Sequence, residues 1–175
     1  QTLPISHQVF RVESHSCVLT NARLGMVAVG GITRLTGSGL SMTEWHPLMG
    51  WVPPLNADDW NHVFDLYKES PEYQKVNHWM DLEHFKQIFF WEYIHRVLGR
   101  LIGMVFFLPW VYFVIRRQLR GAWIWKTFIA FALGGAQGLL GWFMVQSGLR
   151  DVPEVSHFRL AAHLSLAFCV GSYVL

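Results

Sequence analysis

The sequence is poor in charge and in cysteine for its length. Lys, Arg, Asp and Glu make up only 15% of its 175 residues, and the formal net charge is +2. A disordered chain would carry more charge and fewer aromatic residues than the 9 Trp and 13 Phe found here. So small a net charge leaves no basic stripe, and we expect no nucleic-acid partner. The two cysteines, Cys17 and Cys169, form no CxxC or metal-binding pattern, which disfavours a disulfide framework or a zinc site.

Long apolar runs fill the second half of the chain, at 87–115, 127–146 and 155–175. A helix needs about 20 mostly apolar residues to cross a bilayer core of roughly 30 Å, and all three runs reach or approach that length. They predict an all-α, multi-pass transmembrane helical bundle in the lipid bilayer. A weaker run, 24–32, is too short to cross alone, and we expect an irregular or partly buried segment there.

The runs divide the chain into three parts. Residues 1–33 form an N-terminal segment, 34–86 a polar region with short helices, and 87–175 the three membrane helices. Within the polar region, Asn56 is placed to cap a short helix, and Asp81 is placed to cap the long helix that becomes the first span.

Basic residues predict the orientation of the spans. Four basic residues and no acidic one follow the first run: Arg116, Arg117, Arg120 and Lys126. Short loops rich in Lys and Arg stay on the cytoplasmic or matrix side. The region 34–86 has four basic against eight acidic side chains and is therefore expected outside. The first and third spans then run in the same direction.

The first run carries four ionisable side chains, Glu92, His95, Arg96 and Arg100. At 3.6 residues per turn their spacing places all four on one helix face. Ionisable groups inside a membrane are costly and usually functional. The simpler alternative is an ion pair between Glu92 and Arg96 that only holds helices together.

The third run carries Arg159 and His163 on one face. If the bilayer begins near Ile88 and near Ser156, then His95 and His163 both lie about 10 Å below the outer surface. Two imidazoles at one level suggest a shared ligand.

A heme suits such a pair better than zinc does. Imidazole is a standard axial ligand of heme iron, whereas zinc prefers more ligands than this spacing offers. The anionic propionates of a heme need cationic partners, which Arg96, Arg100 and Arg159 would supply.

The middle run contains several glycines and one amide side chain: Gly134, Gly135, Gly138, Gly141 and Gln137. Small residues at this spacing permit tight helix packing, which is the simpler interpretation. The alternative is that the glycines leave room for a flat macrocycle.

Five stretches are distinctive beyond their apolar character. They are GGITRLTGSGLSMTEW (30–45), PEY (71–73), EHFKQIFFWEYIHRVLGRLIG (83–103), LGGAQGLLGWFMVQSGL (133–149) and VSHFRLAAHL (155–164). In these motifs the chain resembles the N-terminal half of the heme A synthase family, of the proteobacterial and mitochondrial type.

The resemblance implies eight transmembrane helices in two four-helix halves, each with a His pair. It implies an oxidoreductase that converts a methyl group of heme O to the formyl group of heme A for cytochrome oxidase assembly. The family's first His pair falls on His95 and His163, which would bind the iron of the heme substrate. Its acidic residue falls on Glu92, which would be catalytic by stabilising positive charge on the attacked carbon or by accepting a proton from water.

The chain departs from the family pattern at both ends. Only a remnant of the first membrane helix falls within 1–33, and the half expected to bind heme b would follow Leu175, so we expect a fragment. The implied partners are heme O, the bilayer, heme O synthase and an electron donor, and a homo-oligomer is compatible. The expected location is the bacterial plasma membrane, with the mitochondrial inner membrane as the alternative.

Two other functions fit the same residues. A non-catalytic bis-His membrane cytochrome b that only carries electrons would use both histidines and the arginines, but it gives Glu92 no task. A packing or assembly subunit without a cofactor would use the polar face to pair with another protein.

Overall fold

The structure is a computed structural model that describes residue 22 and residues 24–44, 51–119, 121–150 and 152–174. Regular structure within these ranges is entirely helical, as predicted. The elements are α1 (Leu24–Leu35), α2 (Ala57–Lys68), a π-helical turn (Tyr73–Asn77), α3 (Leu82–Ile115), α4 (Ala122–Val145) and α5 (His157–Val174). The expectations for residues 1–21, for Cys17 and for Arg120 lie outside the described residues.

α3 is the longest element and begins before the predicted span. Asp81 caps it, because the Asp81 carboxylate accepts a hydrogen bond from the His84 backbone N–H at 2.9 Å. This bond lowers the pKa of Asp81, since it stabilises the charged form. The 34 residues of α3 extend over about 51 Å, which exceeds the roughly 30 Å of a bilayer core. The predicted cap is confirmed, and α3 is long enough to project beyond a bilayer.

A buried aromatic core lies where α2 packs on the N-terminal part of α3. Asn56 caps α2, as predicted, by accepting a hydrogen bond from the Asp59 N–H at 2.8 Å. The core consists of Phe64, Tyr67, Met80, Phe85 and Phe89. The rings of Tyr67 and Phe85 stack with centroids 5.0 Å apart. The polar region therefore has a core of its own, which fixes it to α3.

The three long helices pack side by side, with α4 against both α3 and α5. Trp110 of α3 joins the first pair, because its ring stacks on Phe131 and its indole N–H donates to Thr127 at 2.9 Å. Two of the described helices, α3 and α4, are long and apolar enough to cross a membrane. Their outer faces are exposed and apolar, as lipid contact requires. That α5 also crosses a membrane stays a prediction, and so do the bilayer boundaries along every helix.

The run 24–32 forms part of helix α1, so the expectation of irregular structure is wrong. Tertiary packing explains the helix, since glycines disfavour it locally. The Met26 side chain lies 3.4 Å from the position of a Cβ on Gly99, and Gly30 lies against His95. The described part of α1, Leu24–Leu35, has 12 residues and is about 18 Å long.

Candidate functional site

Glu92 is the most buried member of the polar face of α3. Its Oε2 accepts hydrogen bonds from the Ser41 hydroxyl at 2.7 Å and from the Met42 backbone N–H at 2.8 Å. Its Oε1 accepts a hydrogen bond from Arg96, with which it forms an ion pair. Every donor comes from α3 or from residues 38–44, here named the 38–44 loop, so the carboxylate fixes this loop on the helix.

Arg96 completes the attachment of the 38–44 loop. Besides Glu92, its guanidinium donates to the backbone oxygens of Met42 at 3.0 Å and Glu44 at 3.2 Å. The ion pair offered as the simpler alternative is therefore present. Binding of a propionate by Arg96 stays a prediction, and it would have to coexist with these bonds.

The same loop also contacts the connection between α4 and α5. Both methyl groups of Leu40 lie 2.8 Å from the position that a Cβ on Gly148 would take. Only glycine leaves room for this contact. The 38–44 loop thus joins the N-terminal part of α3 to the end of the α4–α5 pair.

His95 lies three residues after Glu92, and its ring packs against α1. The ring atom Cε1 is 3.0 Å from the position that a Cβ on Gly30 would take. The ring atom Nδ1 is buried and has no hydrogen-bond partner among the residues that the structure describes. Because Gly30 has no side chain, the imidazole can pack closely against α1.

His163, on α5, packs against a glycine in the same way. Its Cε1 is 3.0 Å from the position that a Cβ on Gly141 of α4 would take. Its Nδ1 is also buried and has no hydrogen-bond partner within the described part of the chain. The Gln137 amide nitrogen lies 3.0 Å from the His163 backbone oxygen and 3.3 Å from the ring atom Nε2. Gly141 therefore makes room for an imidazole, one use of the middle-run glycines that the sequence did not predict.

The two imidazoles suit a heme iron. Each has a buried nitrogen without a hydrogen-bond partner in the described ranges, and such a nitrogen is costly unless a ligand compensates for it. Imidazole nitrogens are common axial ligands of heme iron, so the residues present fit that group.

The other two predicted arginines contact aromatic rings. The Arg159 guanidinium donates to the Phe143 backbone oxygen at 2.7 Å and lies 3.7 Å from the Phe143 ring centroid. The Arg100 guanidinium lies 5.7 Å from the Trp51 ring centroid. Arg159 is thereby tied to α4, the helix that also supports His163. That Arg100 and Arg159 bind the heme propionates stays a prediction.

A second buried carboxyl group lies outside the predicted site. Glu72, in the PEY motif, accepts a hydrogen bond from the Tyr67 hydroxyl at 3.0 Å, and that hydroxyl accepts one from the Asn77 amide at 2.9 Å. Burial raises the pKa of Glu72 to about 7, and the charge of Glu92 acts in the same direction. Burial also raises the pKa of Tyr67.

Sequence reasoning missed the roles of Ser41, Gly30, Gln137 and Glu72. Ser41 and Gly30 lie in the first family-like motif, but no periodic pattern pairs them with α3. Glu72 carried one available signal, since it is an acidic residue between Pro71 and Tyr73 in a short distinctive motif.

Comparison with known proteins places this chain in a family. The family model of the cytochrome oxidase assembly protein COX15-CtaA matches residues 15–175. The chain belongs to this family. COX15-CtaA proteins are multi-pass membrane proteins, in agreement with the all-helical fold and the two membrane-length helices. No solved structure matches the chain.

Curated relatives in the COX15-CtaA family carry the name heme A synthase. The chain is 52% identical to that of Nitrosomonas eutropha over 145 residues, covering 83% of this chain and 41% of the relative. It is 56% identical to that of Parvibaculum lavamentivorans, covering 81% and 41%, and 54% identical to that of Flavobacterium johnsoniae, covering 86% and 45%. The chain thus spans somewhat under half the length of these relatives.

Proposed function

We propose that this chain supplies the substrate-binding part of a heme A synthase, which oxidises a methyl group of heme O to the formyl group of heme A. His95 and His163 hold the iron of heme O between α3 and α5. The observation that carries the proposal is a pair of part-buried imidazoles, each packed against a glycine and each with a buried ring nitrogen that finds no partner among the described residues.

Glu92 acts in this proposal as a fixed negative charge close to the substrate. Its carboxylate already accepts bonds from Ser41, Met42 and Arg96, which hold it in place. A held carboxylate can stabilise positive charge that develops on the attacked carbon without any rearrangement. This role suits the geometry better than acceptance of a proton from water, for which the oxygens have little capacity left.

The remaining parts of the proposal concern the surroundings of the site. Arg100 and Arg159 pair with the heme propionates near the outer surface, and Arg96 contributes while it holds the 38–44 loop. The named relatives are bacterial, so we place the chain in the bacterial plasma membrane. A resident heme b, heme O synthase and an electron donor belong to the proposal at the level of the whole protein.

A bis-His electron carrier is the second candidate. The sequence alone gave Glu92 no task in a carrier, but the structure provides one, because Glu92 anchors the 38–44 loop. Anchoring of this loop would stabilise the fold of an electron carrier as well as that of an enzyme.

The pigment bound by the chain tests the proposal. The chain is produced in cells that make heme O, purified in detergent, and its pigment is extracted and separated by chromatography. We expect heme O or heme A, and we expect His95→Ala and His163→Ala each to lose most of the Soret absorbance. His157→Ala is the matched control, since His157 is exposed on the same helix as His163.

The outcomes separate the candidates. Extraction of b-type heme alone supports the electron carrier. A chain without Soret absorbance despite a heme supply contradicts both heme functions and supports a packing subunit. For the catalytic step, Glu92→Gln should retain heme O and lose heme A formation in the same cells, and an unchanged yield of heme A would remove Glu92 from the mechanism.

A further inference from the structure

Gln137 has no task in the function proposed above, although its side chain lies against His163. Its Nε2 is 3.0 Å from the His163 backbone oxygen. A carbonyl oxygen can only accept a hydrogen bond, so the NH₂ end of the amide must face it. The amide oxygen Oε1 therefore points elsewhere, and there it is buried with no hydrogen-bond partner among the described residues.

The orientation of this amide is set by the backbone and not by the imidazole. The second contact of Nε2, at 3.3 Å, is with the ring atom Nε2 of His163. The bond to the backbone oxygen does not depend on the ring, so it holds the Gln137 amide in place for either imidazole tautomer. Gln137 thus links α4 to the backbone of His163 itself.

An unpartnered acceptor next to a ligand-binding residue needs a donor. Buried polar groups are nearly always hydrogen-bonded, and an orphan acceptor carries a free-energy cost. Oxidation of a methyl group to a formyl group passes through the alcohol level, so a hydroxyl donor arises on the porphyrin during the proposed reaction.

We propose that Gln137 is a positioning residue of the heme site that holds His163 through its amide NH₂ and accepts, through Oε1, a hydrogen bond from a hydroxyl-bearing porphyrin substituent. This inference rests on the proposed function, because it assumes that a porphyrin binds at His163. It adds a preference for hydroxylated porphyrins that the histidines alone do not provide.

Two porphyrins that differ in hydroxyl groups test the preference. Haematoheme carries hydroxyethyl groups where mesoheme carries ethyl groups. We expect the purified chain in lipid nanodiscs to bind haematoheme about threefold to tenfold more tightly than mesoheme, the size of one neutral hydrogen bond. Gln137→Met keeps the side-chain length, and we expect it to abolish this difference.

A spectroscopic measurement tests the positioning role. Gln137→Met should alter the electron paramagnetic resonance spectrum of the bound ferric heme, because the spectrum depends on the orientation of the axial imidazoles. Gln118→Met is the matched control, since Gln118 is exposed beyond the end of α3, and both the spectrum and the preference should be unchanged.

The results distinguish this inference from the proposed function. Equal affinities of the unsubstituted chain for the two porphyrins overturn the hydrogen bond to Oε1, even if Gln137→Met does not fold. Retention of the preference and the spectrum in Gln137→Met overturns the role of Gln137 and leaves the heme site intact. Failure to bind either porphyrin, or equal binding by His163→Ala, overturns the proposed function and this inference together.

Discussion

The Ser41 hydroxyl and the Glu92 carboxylate lie 2.7 Å apart although 51 positions separate them in the sequence. Both side chains are almost completely buried, with 2% and 3% of their surfaces exposed. The contact joins the 38–44 loop to the charged face of α3. A residue expected to act on substrate therefore also holds the structure around it, and substitutions can separate the two roles.

Replacement of Ser41 by Ala tests the structural role of this contact. It removes one hydrogen bond to a buried carboxylate, so we expect a loss of about 1–3 kcal/mol in the free energy of unfolding. Thermal unfolding of the purified chain in detergent measures the change. Ser165→Ala, on an exposed position of α5, is the control and should leave the unfolding temperature unchanged. Equal unfolding temperatures for Ser41→Ala and the control would contradict the anchoring role.

Gly141→Ala should weaken heme binding. The added Cβ would lie 3.0 Å from Cε1 of His163, so the imidazole must shift. Gly135→Ala is a matched control on the same helix, because a Cβ there has no neighbour within 4 Å. We expect heme titration to show lower affinity for Gly141→Ala alone, while both variants gain helix propensity. Equal affinities would show that Gly141 does not seat His163.

The adjacent glycines of α1 allow the same test at His95. A Cβ on Gly30 would lie 3.0 Å from Cε1 of His95, whereas a Cβ on Gly31 would have no neighbour within 4 Å in the described part of the chain. We expect Gly30→Ala to shift the Soret maximum and reduce heme retention during gel filtration. Gly31→Ala should behave like the unsubstituted chain. A larger effect of Gly31→Ala than of Gly30→Ala would contradict the contact between Gly30 and His95.

Gly148→Ala should destabilise the contact between the 38–44 loop and the α4–α5 connection. Its Cβ would lie 2.8 Å from both methyl groups of Leu40 and 3.3 Å from the backbone carbon of Glu154. Overpacking of this kind costs typically about 1–3 kcal/mol. We expect thermal unfolding to show the loss, and the second substitution Leu40→Ala to recover part of it. No recovery in the double variant would assign the loss to the Glu154 backbone.

Glu72 should make stability depend on pH. Its pKa is about 7 in the folded chain against an ordinary value of 4.5, so the folded state binds the proton more tightly than the unfolded state. The stability that protonated Glu72 contributes is complete below about pH 4.5 and is lost as the pH rises through about 7. The expected loss is on the order of 2–3 kcal/mol.

Denaturant titrations at about pH 5 and about pH 8 measure this dependence. Glu72→Gln should reduce the difference between the two pH values, since the amide does not titrate. Glu69→Gln, at an exposed position in the same region, should retain the full difference. A Glu72→Gln variant with an unchanged pH dependence would assign the effect to other groups.

Local sequence patterns predicted much of the fold. Asn56 and Asp81 cap helices where their residue types and neighbours indicate, and the polar face of α3 follows from its spacing. Local patterns did not predict helix α1, because its glycines weaken the local signal and its contacts with Gly99 and His95 lie far along the chain. Only the family resemblance indicated a remnant of a membrane helix within 1–33.

Part of the candidate site was likewise predicted from the sequence, and part was not. Residue type and helical spacing were sufficient to select the two histidines as candidates, which stay a prediction, and to offer the ion pair of Glu92 with Arg96 as the simpler alternative, which the structure contains. The sequence did not reveal that Ser41 binds Glu92 or that Gln137 binds His163. These partners lie 51 and 26 positions apart.

Composition and short-range periodicity determine that this chain is helical, apolar and marked by one charged helix face, because these properties depend on residues a few positions apart. Tertiary packing alone decides which glycine seats each imidazole, which loop holds Glu92, and which amide oxygen lacks a donor. Those features depend on distances between separate helices, and no local pattern encodes such distances.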